Sequence, residues 1–250
     1  MTKNKRNIMT IFSAILNFIF IMLLVIILIK KGPEWYQQKI QRALHMEPIN
    51  TAITLDDNTY NIRKSMFYTV TNAKEQNKIV FLGDSLTQNC NWDELFQNQN
   101  IINRGIMSDT TKGVLERLDD IIKLKPKKIF LMIGINDLHD KSIDVVSENY
   151  SKILSVLEKK LPGTKIYVQS VLPINNNINK YDIRPETIIN LNAKIKKTCG
   201  DKKIQYINLY DKFKDNDNML LKKYTIDGTH LNGKGYLVWK QTIEKYVNMQ

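Results

Sequence analysis

At 250 residues the chain is long enough for one α/β domain with a sizeable core and a short appendage. Its 43% hydrophobic and 25% charged residues are those of an ordinary globular protein, but the formal net charge of +12 is not ordinary. Such an excess reads as lysines on solvated faces or as attraction to anionic lipids and wall polymers. Nucleic acid is set aside, since the chain has no zinc-finger spacing, groove-reading Arg-rich helix or aromatic single-strand platform.

In chain order, the first element is an almost unbroken apolar run from Ile8 to Ile29, flanked by Lys3, Lys5 and Arg6 before it and by Lys30 and Lys31 after it. About 20 apolar residues match the hydrocarbon thickness of a bilayer. The run is longer than the usual signal-peptide core and ends in Lys-Lys-Gly-Pro without a small-x-small cleavage site, so a retained transmembrane helix is expected. The short basic leader is easier to leave in the cytoplasm than to translocate, which puts the rest of the chain outside the cell membrane. Residues 1–31 are thus read as tail and anchor, 32–77 as linker and pre-domain helices, and 78–250 as the main domain. Within the linker, Pro33–Met46 reads as an amphipathic helix, Glu47–Asp57 as a polar connector and Tyr60–Glu75 as a helix leading into the domain.

From Lys78 onward short apolar runs alternate with helical patterns, the signature of βαβ units and a parallel sheet. Strands are expected at Ile79–Leu82, Ile101–Asn103, Lys128–Ile133, Lys165–Ser170 and Ile204–Asn208. Helices are expected at Thr111–Lys123, Ile143–Lys160, Pro185–Thr198 and about Lys234–Asn248, with Pro162-Gly163 and Cys199-Gly200 marking helix ends. The pattern fits a flavodoxin-like three-layer α/β sandwich with a five-stranded sheet in the order 2-1-3-4-5. Asn175-Asn176-Asn177-Ile178-Asn179 is the only low-complexity piece.

The first strand ends in Gly83-Asp84-Ser85, which puts a hydroxyl on the turn leaving a buried strand, where ligands of open α/β sheets collect. Three further segments accompany it: Asn103-Arg104-Gly105, Gly134-Ile135-Asn136-Asp137 and Asp227-Gly228-Thr229-His230. Together the four blocks resemble those of the SGNH (GDSL) hydrolase family, in the family's order, over about Lys78 to Val247. The strings Asn103–Ile106, Asp109-Thr110-Thr111 and Gly134–Asp137 are similar to bacterial relatives of platelet-activating-factor acetylhydrolase. The resemblance implies Ser85 as nucleophile, His230 as base with Asp227 behind it, and an oxyanion hole formed by the Ser85 backbone, Gly105 and Asn136.

These residue types suit acyl transfer. A serine hydroxyl needs a base to take its proton during attack, and histidine is the natural choice near neutral pH. Of His45, His139 and His230, only His230 follows an aspartate by three residues in a Gly-containing turn that opens a helix. A glycine lets a backbone N–H approach closely and Asn136 offers a neutral donor to the oxyanion. Asp84 and Asp137 are read as loop-shaping hydrogen-bond partners. Cys90 and Cys199 form no CxxC or metal spacing, the His and carboxylate spacings outline no metal site, and no Gly-rich phosphate loop is present, so no cofactor is expected. The function expected is a membrane-anchored, cofactor-free serine esterase that removes a short acyl group, acetyl by the resemblance, from a small-molecule or glycan ester. An O-acyltransferase of cell-surface glycans and a catalytically inert ligand-binding module are the alternatives.

Overall fold

The structure, a computed structural model, describes Met22 and residues 55–71, 77–179, 181 and 183–249. The expected span Ile8–Ile29 (Met22 apart), the expected helix Pro33–Met46 and His45 lie outside these residues. Among the described residues no helix is long and apolar enough to cross a membrane.

Residues Leu55–Gln250 form one compact unit. It opens with α1 (Leu55–Val70), followed by β1 (Ile79–Gly83), the short α2 (Ser85–Gln88) and α3 (Trp92–Phe96), and β2 (Ile101–Gly105). Next come α4 (Thr111–Glu116), α5 (Leu118–Leu124), β3 (Lys128–Met132), a 3-10 turn (Asn136–His139), α6 (Ile143–Lys160) and β4 (Lys165–Gln169). The chain closes with α7 (Pro185–Asp201), β5 (Gln205–Ile207), α8 (Tyr210–Phe213), a second 3-10 turn (Lys222–Tyr224) and α9 (Gly233–Asn248). All strand pairs are parallel and the order is β2-β1-β3-β4-β5, as expected.

Alternation along the strands splits the core in two. Val80 and Leu82 of β1, with Ile129 and Leu131 of β3, pack under α4 to α7, where Val146, Tyr150, Ile153 and Leu157 are fully buried. Ile79, Phe81 and Phe130 face the other way, against Trp92 and against Trp239 and Ile243 of α9. Phe81 stacks on Trp92 at 4.3 Å and on Phe130 at 5.0 Å between ring centroids. Lys128, 1% exposed, begins β3 inside this structure. Its ammonium donates to the carbonyls of Tyr246 (2.8 Å), Val247 (2.7 Å) and Met249, closing the C-terminus of α9, where positive charge is favoured.

Three elements differ from the sequence expectation. The helix expected as Thr111–Lys123 is broken at Arg117, whose backbone leaves the helical region (φ −119°, ψ 19°) as its side chain turns into the protein. The helix expected to stop before Cys199 runs on to Asp201, because Cys199 is buried in the core and holds one more turn there. The helix expected over Tyr60–Glu75 runs instead from Leu55 to Val70, taking in the end of the expected connector, and it belongs to the compact unit rather than preceding it. Tertiary contacts decide this. Phe67 is 6% exposed with the Arg104 guanidinium 4.5 Å from its ring centre, and Arg63 Nε donates to the Gly105 carbonyl at 2.6 Å.

Candidate active site

The order β2-β1-β3 sets the C-terminal ends of the first three strands side by side, with Gly83 in register with Gly105 and with Met132. Asp84 caps α2 by accepting from the Leu86 N–H at 3.0 Å, which holds Ser85 at the first position of that helix. Burial, only partly opposed by that hydrogen bond, pushes the Asp84 carboxyl up to about 7.

Ser85 Oγ lies 2.9 Å from His230 Nε2, and His230 Nδ1 lies 2.6 Å from Asp227 Oδ2. The other oxygen of Asp227 accepts from the backbone N–H groups of His230 (2.7 Å) and Thr229 (2.9 Å), so one carboxylate shapes the turn and fixes the ring. Burial works to raise the Asp227 carboxyl. The hydrogen bonds from the His230 ring and from the two backbone groups outweigh it and hold the group below its ordinary value. Hydroxyl, imidazole and carboxylate in this sequence can pass the hydroxyl proton to Nε2 while the carboxylate keeps the Nδ1–H tautomer.

The turn is buttressed by the Asn-rich stretch that looks featureless in sequence. Asn175 N–H donates to the Gly228 carbonyl at 2.7 Å, and the Asn179 side chain donates to the same carbonyl and to Thr229 Oγ1 at 3.1 and 3.0 Å. Gly228 has φ +88°, and a Cβ there would stand 2.8 Å from the Asn175 carbonyl, so the position needs glycine on both counts. Exposed Ile178 and Ile226 stand beside this turn.

Asn136 opens its 3-10 turn and donates through Nδ2 to the Asp109 carbonyl at 2.9 Å, leaving the second N–H of that amide available for a ligand. Asp137 accepts from the Thr111 N–H (2.9 Å) and hydroxyl (2.6 Å), tying the loops after β2 and β3 together. The Gly105 N–H, expected as an oxyanion donor, is already engaged: it donates to Asn103 Oδ1 at 2.9 Å. What Gly105 supplies is close packing, since a Cβ would come within 2.3 Å of the Gln88 N. Ser108, three residues on, holds the left-handed conformation (φ 59°), which a non-glycine residue adopts at a cost.

Arg117, 1% exposed, is the residue the sequence reading passed over as a helical position. Its guanidinium donates to Asp109 Oδ2 (2.7 Å), the Gly83 carbonyl (3.1 Å) and the Arg104 carbonyl (2.9 Å), joining the ends of β1 and β2 to the loop that holds Asn136. The other candidates stay outside the cluster. His139 meets Tyr181 edge-on at 4.6 Å, and burial pushes the thiols of Cys90 and Cys199 up to about 12, where a thiolate nucleophile does not form at neutral pH.

Known proteins resemble this chain over the same residues. The profile of the GDSL-like Lipase/Acylhydrolase family matches residues 81–238, more than half of the chain. The alpha2 subunit of platelet-activating factor acetylhydrolase IB from Homo sapiens is 29% identical over 169 residues, 63% of this chain and 70% of that protein. The rat alpha2 subunit is 28% identical over the same span. Among solved structures, one described as a platelet activating factor from Streptococcus pneumonia superposes with a TM-score of 0.72 at 27% identity, covering 77% of this chain and 94% of that one. The acetyl xylan esterase AlAXEase shares the fold, with a TM-score of 0.59 at 21% identity over 68% of this chain and 99% of its own. With its four blocks gathered on one sheet edge and its match to the family profile, the chain belongs to the GDSL-like lipase/acylhydrolase family and is a carboxylic ester hydrolase.

Proposed function

We propose that this protein is a membrane-anchored serine esterase that removes acetyl or another short acyl group through an acyl-Ser85 intermediate. The observation that carries the reading is the unbroken path Ser85–His230–Asp227 at 2.9 and 2.6 Å. As Ser85 Oγ attacks the ester carbonyl carbon, its proton passes to His230 Nε2 and the carbonyl oxygen becomes an oxyanion. The Ser85 backbone N–H and the Asn136 amide are the donors assigned to that oxygen. Collapse expels the alcohol, which takes the proton back from His230, and water repeats the sequence to release the acid. The preference for acetyl is supported by relatives that carry the name acetylhydrolase.

The anchor rests on the Ile8–Ile29 run, and the short basic leader supports a catalytic domain outside the cytoplasmic membrane. A fluorophosphonate probe should label the full chain and fail to label Ser85→Ala. A p-nitrophenyl ester series should give its highest kcat/KM at acetyl or propionyl. If an added sugar acceptor diverts the acyl group from water, the enzyme is an O-acyltransferase with the same residues, and absence of labelling would leave only ligand binding. Protease added to intact, wall-stripped cells should digest the domain and leave a small membrane-bound stub; protection until lysis would place the domain in the cytoplasm.

A further inference from the structure

β3 stops at Met132, and the chain runs on through Ile133, Gly134 and Ile135 to Asn136. The neighbouring strands give out at the same place: Met132 is opposite Gly83, the last residue of β1, and Leu131 is opposite Val168 of β4. Ile133, fully buried, is the first residue past both registers. Its backbone turns to a side chain instead. The Tyr150 hydroxyl accepts from the Ile133 N–H at 3.1 Å and donates to the Ile133 carbonyl at 2.7 Å. The N–H and C=O of one extended residue point the same way, so a single hydroxyl, which both donates and accepts, can meet the two together. Tyr150 is itself fully buried in the core between α6 and the sheet. That burial holds its phenol well above the ordinary value, so the proton it donates stays in place.

The residue before Tyr150 reaches the other side of Asn136. Consecutive helical residues point about 100° apart, so while Tyr150 enters the core Asn149 can serve the rim. Asn149 Nδ2 donates to Thr111 Oγ1 at 3.0 Å, and that hydroxyl donates to Asp137 Oδ1 at 2.6 Å. One helix thus grips the segment at Ile133 and, through Thr111, at Asp137. Between the two grips the chain turns at Gly134 (φ +125°), and Asn136 rests its amide on the Asp109 carbonyl at 2.9 Å.

We propose that Asn149 and Tyr150 are positioning residues for Asn136: together they fix where β3 ends and how the turn after it presents the Asn136 amide to the reacting ester oxygen. The proposal rests on the reading of Asn136 as an oxyanion donor. Such a donor works by its aim, and a misplacement of about 1 Å costs about 10²-fold in rate. Phenylalanine at position 150 would keep the ring and its packing. Only the hydroxyl would be missing, and the N–H and C=O of buried Ile133 would have to turn elsewhere for partners. The segment leading to Asn136 would turn with them.

The test measures kcat and KM of the full chain in detergent on p-nitrophenyl acetate. Each rate is counted per serine titrated by a fluorophosphonate, so unfolded molecules do not enter. Tyr150→Phe should lower kcat about 10- to 100-fold and leave KM within about twofold. In the Asn136→Ala background the same substitution should lower kcat by less than about twofold, because its effect runs through the missing amide. Ile153→Val, which thins the same core one turn further along α6, should lower the melting temperature and leave kcat alone. A second readout keeps the positioning apart from the oxyanion reading. In protein made with isotope-labelled asparagine, the Asn136 side-chain amide resonance is the one that Asn136→Ala removes. Tyr150→Phe should move it and Ile153→Val should not. Where Asn136→Ala is slow, an unchanged kcat in Tyr150→Phe overturns the proposal, as does an equal loss in both backgrounds. If Tyr150→Phe yields no folded protein, Asn149→Ala carries the same test, with a loss of about three- to tenfold expected and no loss overturning it. Where Asn136→Ala keeps full kcat, the oxyanion reading fails alone and the resonance decides: a moved signal upholds the positioning, and an unmoved one overturns it.

Discussion

At the scale of single residues, the catalytic proposal concentrates on four side chains. Ser85→Ala and His230→Ala should each lower kcat by several orders of magnitude, with the double variant little worse, because such residues act as a unit. Asp227→Asn should cost about 10²–10⁴ in kcat, since an amide no longer selects the tautomer that leaves Nε2 free. Asn136→Ala should lower kcat by about 10²–10³ with KM nearly unchanged, as expected of a donor whose partner exists only in the transition state. Steady-state kinetics on p-nitrophenyl acetate separate these cases. A large KM effect in Asn136→Ala would make that residue a substrate-binding group instead.

Asp84 makes a prediction about stability rather than rate. Its carboxyl is raised by burial from an ordinary 3.8 to about 7, so the folded protein holds a proton there that the unfolded chain has already lost. The contribution is therefore fully present below about pH 4 and is lost as pH rises to about 7. Asp84→Asn keeps an oxygen to accept from the Leu86 N–H and has no proton to lose. Thermal melts should show the variant gaining stability relative to the parent between pH 5 and pH 8. A constant difference across that range would show that Asp84 is ionised in the folded protein.

At the scale of elements, the break between α4 and α5 is what lets Arg117 reach three carbonyl or carboxylate groups from two strands and a loop. Arg117→Met should cost about 3–5 kcal/mol, because it leaves the Asp109 carboxylate, 2% exposed, buried without its partner. Adding Asp109→Asn to Arg117→Met should recover part of that loss, which urea unfolding of the single and double variants will measure. No recovery would mean that the bonds from Arg117 to the Gly83 and Arg104 carbonyls, not its charge, hold the corner.

At the scale of the whole molecule, α1 joins the segment after the expected anchor to the sheet edge that carries the site. Arg63 holds the carbonyl of Gly105, and the Phe67 ring lies under the guanidinium of Arg104. A chain starting at Lys78 should therefore lose roughly 3 kcal/mol or more of stability relative to one starting at Leu55, the cost of emptying a buried phenylalanine site. Equal urea midpoints would make α1 an appendage after all.

The sequence by itself determined the strand positions, their parallel direction and the four blocks, each written locally as apolar runs of strand length, turn residues after them and motifs a few residues long. The strand order came from the fit to a known fold and the Ser85–His230–Asp227 set from the family resemblance, and the structure brings these three side chains into one path at 2.9 and 2.6 Å. Tertiary structure alone decided that α1 belongs to the compact unit, that Arg117 breaks a helix to serve two strands, and that Asn175 and Asn179 brace the Asp227–His230 turn. It also decided that the Asn136 amide is held by the Asp109 carbonyl. The physical reason is the same in each case. Arg117, Asn136 and the bracing asparagines acquire their partners from segments that are distant along the chain, and neither hydrophobic period nor local propensity carries that information.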